Sequence, residues 1–406
     1  MPRRATVASG ADPGIGATLH RVFVLGSASG RSDRERVELE LDELEELART
    51  LGTDVVERAL LTVREPHPAT FFRSGMVATL TTRLAELGGP AVFCNDALSP
   101  RQQRNLQEAW GVPVLDRTEV ILAIFAHRAR TAEGRLQVEM AQLDHLLPRL
   151  AGGWSHLERQ RGGVGLRAGP GETQIEVDRR LIRRRIKRLR ERLAVLERQR
   201  QTRRTARTDV PLASCALVGY TNAGKSTLLN ALTHSQVLAD DLLFATLDPT
   251  SRRLELPSGR RIIVTDTVGF IQKLPTELVE AFAATLEEVR QAHMLAIVVD
   301  GSHPDCDMQL RTVLDTLSDM GCDQPALLVV TKADRLTAGE QRRVRLELGD
   351  IAATSARVVS ARTGAGLREL RQALDALAGQ IVADSRANRP IIAAEHEPAP
   401  SQRAAG

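Results

Sequence analysis

The stretch GYTNAGKST (219–227) sets glycine, glycine, lysine and serine at the spacing G-x-x-x-x-G-K-[ST]. An apolar run, ASCALVG (213–219), precedes it and a helical pattern, STLLNALT (226–233), follows. Strand, glycine loop and helix in that order form a phosphate cradle. Gly219 and Gly224 let backbone N–H groups turn inward at a helix N-terminus. Lys225 brings a mobile positive charge to the β- and γ-phosphates, and Ser226 offers a hydroxyl to Mg²⁺. Tyr220, Thr221, Asn222, Ala223 and Thr227 complete the contacting stretch.

Three further segments fall where such a cradle needs them. DTVG (266–269) follows the apolar run RIIVT (261–265). Asp266 is expected to hold Mg²⁺ through water, with Thr267 and Val268 beside it, and the N–H of Gly269 to meet the γ-phosphate. TKAD (331–334) ends the run ALLVV (326–330). Asp334 can accept from both the ring N–H and the amino group of guanine, a pair that adenine lacks. Lys332, between Thr331 and Ala333, is expected to lie over the base and brace the phosphate loop. Ser360, Ala361 and Arg362, after ARVV (356–359), complete the base pocket. Between cradle and DTVG lies FATLDPT (244–250), the place of a switch segment: Phe244, Ala245, Thr246, Leu247 and Asp248. Its threonine should cap Mg²⁺ and sense the γ-phosphate. Thr246 and Thr250 compete for that role. Thr246 is preferred because it leaves room before Asp266 for a strand-and-turn excursion through RRLELPSGRR. The chemistry implied is GTP hydrolysis, with Lys225, Thr246 and Gly269 acting on the γ-phosphate and Ser226, Thr246 and Asp266 holding Mg²⁺. Phe270 is the anomaly, since an apolar side chain cannot orient water.

These segments need a scaffold. With 406 residues the chain exceeds one ordinary domain. Residues 20–133 read as a small parallel-sheet α/β domain. Strands are expected at 21–27, 56–63, 90–96 and 112–116, and helices at 34–52, 76–87 and 99–111, the last with Ser99 as N-cap and Pro100 in its first turn. A helical hairpin, 134–205, comes next. Its first arm is 134–150. A glycine-rich loop follows with Gly152, Gly153, Gly162, Gly163, Gly165, Gly169 and Gly171. The second arm, 178–200, spaces Ile182, Ile186, Leu189, Leu193 and Leu196 as an antiparallel coiled-coil seam. TRRTARTDVP (202–211) reads as a linker, 206–382 as a P-loop G domain, and 1–19 and 383–406 as disordered tails.

Net charge is only +4, yet residues 179–207 hold fourteen Lys/Arg against two Glu. Such a block suits a polyanionic partner, or else a solvated helix face packed on its own domains. Two Trp, one Tyr and eight Phe argue against base stacking as the main binding mode. Four separated cysteines point to reduced thiols rather than a metal or disulfide framework. No apolar stretch is long enough to span a membrane and no signal peptide is evident, so a cytoplasmic monomer is expected.

On NDALSPRQQRNLQ (95–107), LDRTEVILAIFAHRARTAEGRLQVE (115–139), RQRGGVGLRAGPGETQIEVDRR (159–180) and the nucleotide motifs, the chain resembles the HflX GTPases, ribosome-associated members of the translation-factor-related GTPases. RSGMVATL (73–80) departs from the glycine-lysine-rich turn that family often carries. The resemblance implies binding to the large ribosomal subunit and its rRNA, splitting of stalled ribosomes, and hydrolysis that is slow alone and stimulated by the ribosome. It also implies a hairpin loop, around 153–173, reaching toward the peptidyl-transferase centre. Asn222 occupies the position at which potassium-dependent relatives carry asparagine, so K⁺ could supply what Phe270 lacks; equally, Asn222 could only brace the loop. Two rivals stand beside this reading. One is a regulatory GTP-binding module acting on a membrane protein or protease, found in a peripheral membrane fraction. The other is an RNA-remodelling ATPase, against which TKAD argues.

Overall fold

The computed structural model describes residues 20–150, 174–205, 212–235, 243–244, 246–272 and 283–387. The glycine-rich loop and the segments 1–19 and 388–406, on which expectations were placed, lie outside them, as does Ala245.

The N-terminal part opens with strand β1 (Arg21–Ala28), whose inner residues are buried on both faces as a central parallel strand requires. Helix α1 (Arg31–Thr50) crosses over to β2 (Asp54–Thr62), α2 (Ser74–Glu86) to β3 (Ala91–Cys94), and α3 (Pro100–Trp110) to β4 (Val114–Asp116). All pairings are parallel, in the order β2-β1-β3-β4. The acidic run in α1 has a reason. Val37, Leu41, Leu44, Leu47 and Ala48 form its buried stripe, while Glu38, Asp42 and Glu45 on the outer face meet Arg58 of β2. Helix α3 begins on a reciprocal cap between Ser99 and Gln102 and ends on Gly111 at φ 67°, the left-handed region glycine tolerates.

Helix α4 (Arg117–Arg128) has no counterpart in the sequence reading. Its run VILAIF is buried from Val120 to Phe125, apolar on every side, so no amphipathic period marks it. Helix α5 (Ala132–Arg149) follows after a short joint, and α6 (Gln174–Thr205) packs along it. Ile186 and Leu189 are the fully buried members of the expected seam; Ile182, Leu193 and Leu196 are half-buried. Arg185 pairs with Glu139 at 2.7 Å and Arg190 with Asp144 at 3.5 Å. Helix α6 runs on to Thr205, through the first residues of the expected linker, because 201–205 carry no helix breaker.

The C-terminal sheet has the order β10-β9-β8-β5-β7-β6. Its strands are β5 (Ser214–Gly219), β6 (Thr250–Glu255), β7 (Arg261–Asp266), β8 (Met294–Asp300), β9 (Ala326–Thr331) and β10 (Ala356–Val358). Only β6 runs antiparallel, joined to β7 by a tight turn with Gly259 at φ 80°. Helices α7 (Lys225–Thr233), α8 (Ala283–Arg290), α9 (Cys306–Asp319), α10 (Ala338–Ile351) and α11 (Leu367–Ala387) cover its faces. Helix α11 continues past residue 383, where the tail was expected to begin, since no glycine or proline interrupts residues 383–387. The two parts share apolar core: Phe125, Val138 and Ala141 belong to one cluster with Tyr220, Phe244, Leu247, Phe270 and Ile271. The four cysteines are unbridged.

Candidate nucleotide site

The nucleotide segments all leave the carboxyl ends of strands, where open α/β sheets place their ligand crevices. Gly219 ends β5 with no room for a side chain: an added Cβ would lie 2.1 Å from the carbonyl oxygen of Val298. Asn222 (φ 57°) and Gly224 (φ 86°) take left-handed backbone, which curls the loop before α7. Lys225, buried, donates from Nζ to the carbonyls of Gly219 (3.1 Å) and Tyr220 (2.8 Å). Burial pulls its pKa down to about 8, against the attraction of Asp266. Thr227 is exposed, and Ala223 is buried beneath the loop.

The DTVGF segment is stitched to this loop along the backbone. Phe270 N–H donates to the Gly219 carbonyl at 3.0 Å, and Thr221 N–H to the Phe270 carbonyl at 2.8 Å. Gly269 lies so close that a Cβ would stand 2.7 Å from Thr221 Cα. Thr267 donates its hydroxyl to the Leu217 carbonyl, and Val268 is buried. The Phe270 ring is itself buried at 2 % exposure and belongs to the shared core.

Three oxygens converge at the end of β7. Ser226 Oγ donates to Asp266 Oδ2 at 2.6 Å, Thr246 Oγ1 lies 2.9 Å from the same oxygen, and the two hydroxyls are 2.8 Å apart. Among the described residues, the buried Asp266 Oδ1 has no hydrogen-bond partner. Burial raises the Asp266 pKa, while Lys225 opposes that shift. A desolvated carboxylate with an unpaired oxygen beside two hydroxyls is the hard-oxygen donor set that suits Mg²⁺. Of the competing threonines, Thr246 stands here, whereas Thr250 is the first residue of β6. Leu247 is buried, and the carboxylate of Asp248 points elsewhere, onto Arg130 and Thr131.

The base side is pinned by side-chain bonds between neighbouring strand ends. Lys332 (φ 56°) pairs with Asp300 at the end of β8, 2.7 Å away, rather than with the phosphate loop. The bond to that loop comes from its neighbour: Thr331 Oγ1 lies 2.7 Å from the Ala223 carbonyl. Asp334 Oδ1 accepts from Ser360 Oγ at 2.6 Å, and Oδ2 pairs with Arg362 at 2.7 Å. The Ser360 hydroxyl holds the Asp334 carboxyl below the usual carboxylate range, aided by Arg362. Ala333 N–H donates to the Val359 carbonyl, tying the two base loops together, and Ala361 follows Ser360.

Three family models match the chain. One described as GTP-binding GTPase N-terminal matches residues 38–126, GTP-binding GTPase Middle Region matches 128–207, and 50S ribosome-binding GTPase matches 214–332. The GTPase HflX of Magnetococcus marinus is 49% identical over 359 residues, covering 87% of this chain and 82% of that protein. The chain belongs to the HflX GTPase family. It is therefore a P-loop GTPase. The GTPase HflX of Escherichia coli is 44% identical over 344 residues, 84% of this chain and 80% of that protein. Among solved structures, a GTP-binding protein from Sulfolobus solfataricus in complex with GDP covers 89% of this chain and 100% of that chain, at 21% identity and a TM-score of 0.46.

In this HflX GTPase the phosphate loop has bonding partners outside the motifs. Tyr220 Oη donates to Glu43 Oε1 of α1 at 2.6 Å and accepts from Gln272 N–H at 2.9 Å. Glu43 also pairs with the buried Arg117 guanidinium, which reaches Asn95 Oδ1 at 3.0 Å. Burial drives the Glu43 carboxyl up, against the pull of Arg117. Nothing in the sequence links residues 43, 117 and 220. Asp300, by contrast, closes the apolar run MLAIVVD, a signal parallel to that of Asp266.

Proposed function

We propose that this GTPase is a nucleotide-dependent switch that acts on the large ribosomal subunit and its rRNA, splitting or rescuing stalled ribosomes. The convergence of Ser226, Thr246 and Asp266 carries the switch reading, because it joins a phosphate-loop helix, a switch segment and a strand end at one point. In this reading those three residues would hold Mg²⁺. The ion, when bound, neutralises charge on the β- and γ-phosphate oxygens. Lys225 brings its ammonium group to those phosphates. Gly269 presents its N–H to the γ-phosphate, and its missing side chain keeps Thr221 close. Asp334 reads the guanine edge, Ser360 and Arg362 hold that carboxylate in place, and Asp300 holds Lys332 at the base.

The Phe270 ring, turned into the core, orients no water. Hydrolysis is accordingly slow in the isolated protein, and the missing group comes from the ribosome or from K⁺ held near Asn222. The ribosomal partner is supported by the family description and by Arg183, Arg184, Lys187, Arg188 and Arg192, all exposed on α6. Backbone charge neutralisation of this kind is what folded RNA attracts. The glycine-rich loop between α5 and α6 is the proposed tip. A cytoplasmic, monomeric protein fits the reading; among the described residues no helix is long and apolar enough to cross a membrane.

Co-sedimentation with large subunits tests the proposal. Binding is expected with a non-hydrolysable GTP analogue, to weaken with GDP, and to fall steeply with salt. Equal recovery with both nucleotides, or none at low salt, would overturn it. Replacing Gly162, Gly163 and Gly165 with alanine should spare GTP binding and lower splitting.

A further inference from the structure

The switch segment is gripped from outside the G domain. Phe244 meets Phe125 of α4 edge to face, with ring centroids 4.6 Å apart at 70°. Four residues on, Asp248 receives three donors from the joint between α4 and α5. Its Oδ2 accepts the backbone N–H of Arg130 at 3.2 Å and of Thr131 at 3.0 Å, and its Oδ1 accepts the Thr131 hydroxyl. The same hydroxyl accepts the N–H of Gly134 at 2.9 Å, capping α5. Between the two anchors stands Thr246, its hydroxyl beside Asp266 and Ser226. A segment tied at both ends to another part of the chain cannot swing freely.

We propose that Asp248 is a positioning residue: its bonds to Arg130 and Thr131 hold the switch so that the Thr246 hydroxyl stands beside Asp266 and Ser226, at the metal side. The inference rests on the reading of Thr246 as a magnesium residue. The second support is Gly134. A Cβ there would lie 2.6 Å from Asp248 Oδ1 and 3.1 Å from Thr131 Oγ1, so glycine leaves the space that the carboxylate fills. Gly134 sits in the first turn of α5 and not at a left-handed position, where alanine would ordinarily favour the helix. Glycine there makes sense as clearance for the latch. Three donors converging on one carboxylate are charge-assisted and strong for their number. Ordering the switch in advance removes an entropic cost that magnesium binding would otherwise bear.

The test uses the full chain and the variants Asp248→Ala, Gly134→Ala, their double and Thr246→Ala. Two quantities are read. One is amide hydrogen exchange over residues 244–250 in the nucleotide-free protein. The other is the Mg²⁺ concentration that half-maximally slows release of a fluorescent GTPγS. Asp248→Ala and Gly134→Ala are each expected to speed exchange and raise the Mg²⁺ requirement about tenfold, a typical coupling between sites. The double variant should do no more than either alone, because both break one latch. Gly134→Ala keeps the Asp248 carboxylate intact. If Asp248→Ala acts and Gly134→Ala does not, the effect belongs to charge near the metal and the latch is overturned. Wild-type values in both, with Thr246→Ala raising the Mg²⁺ requirement, also overturn it while leaving the Thr246 reading standing. No effect of Thr246→Ala removes the magnesium reading itself, and the inference with it.

Discussion

Changing Asp334 to asparagine removes charge and one acceptor from the base pocket with almost no change in shape. In the structure Ser360 donates to Oδ1 and Arg362 pairs with Oδ2, so the carboxylate is oriented and ionised at neutral pH. Each oxygen has a second lone pair left for guanine, one for the ring N–H and one for the amino group. Hydrogen bonds to a charged group contribute about 1.5–3 kcal/mol each, so losing both costs about 3–6 kcal/mol, or roughly a hundredfold to ten-thousandfold in GDP affinity. Asparagine retains one acceptor, but its amide NH₂ confronts either the guanine amino group or the Arg362 guanidinium, donor against donor. The loss should therefore lie well inside that range rather than at its foot. Xanthine carries a carbonyl where guanine carries the amino group, and that carbonyl can accept from the new amide. The assay is displacement of a fluorescent GDP by GDP, ADP and xanthosine diphosphate. GDP should weaken by at least about a hundredfold and xanthosine diphosphate should strengthen. An unchanged GDP-to-ADP preference would refute the assignment of Asp334 as the base reader.

Three other outcomes follow from the same geometry. Gly269→Ala forces a Cβ to within 2.7 Å of Thr221 Cα and must part the DTVGF segment from the phosphate loop. Single-turnover GTP hydrolysis should fall about a hundredfold while GDP affinity changes far less. Arg117→Ala strands the buried Glu43 carboxylate with only the Tyr220 hydroxyl for support, so urea unfolding should show a loss of about 3–5 kcal/mol, reduced when Glu43→Gln is added. Without ribosomes, GTP turnover should be faster in potassium than in sodium, and Asn222→Ala should abolish the difference; equal rates in the two salts would remove the cation from the account.

Much of the site was legible because its parts are short and contiguous. GYTNAGKST, DTVG and TKAD each carry their own backbone curl, and each is announced by the apolar strand it terminates. Thr246 could be preferred over Thr250 by spacing alone; that it stands 2.9 Å from Asp266 is a fact of the folded chain. Helix α4 was invisible because a segment buried on all sides has no polar face to give it a period. The Lys332 partner, Asp300, was not legible because it lies on a different strand, 32 positions away in sequence.

Local residue order determined the αβ alternation, the glycine loop after β5, the TKAD segment at the end of β9 and the basic helix, since each depends on neighbours within a few positions along the chain. Tertiary structure alone decided that Tyr220 would share Glu43 with Arg117, and that Asp248 would turn its carboxylate to Thr131. Those contacts join residues more than seventy positions apart, and their existence depends on how two sheets dock over a common core, a property that no short window of sequence contains.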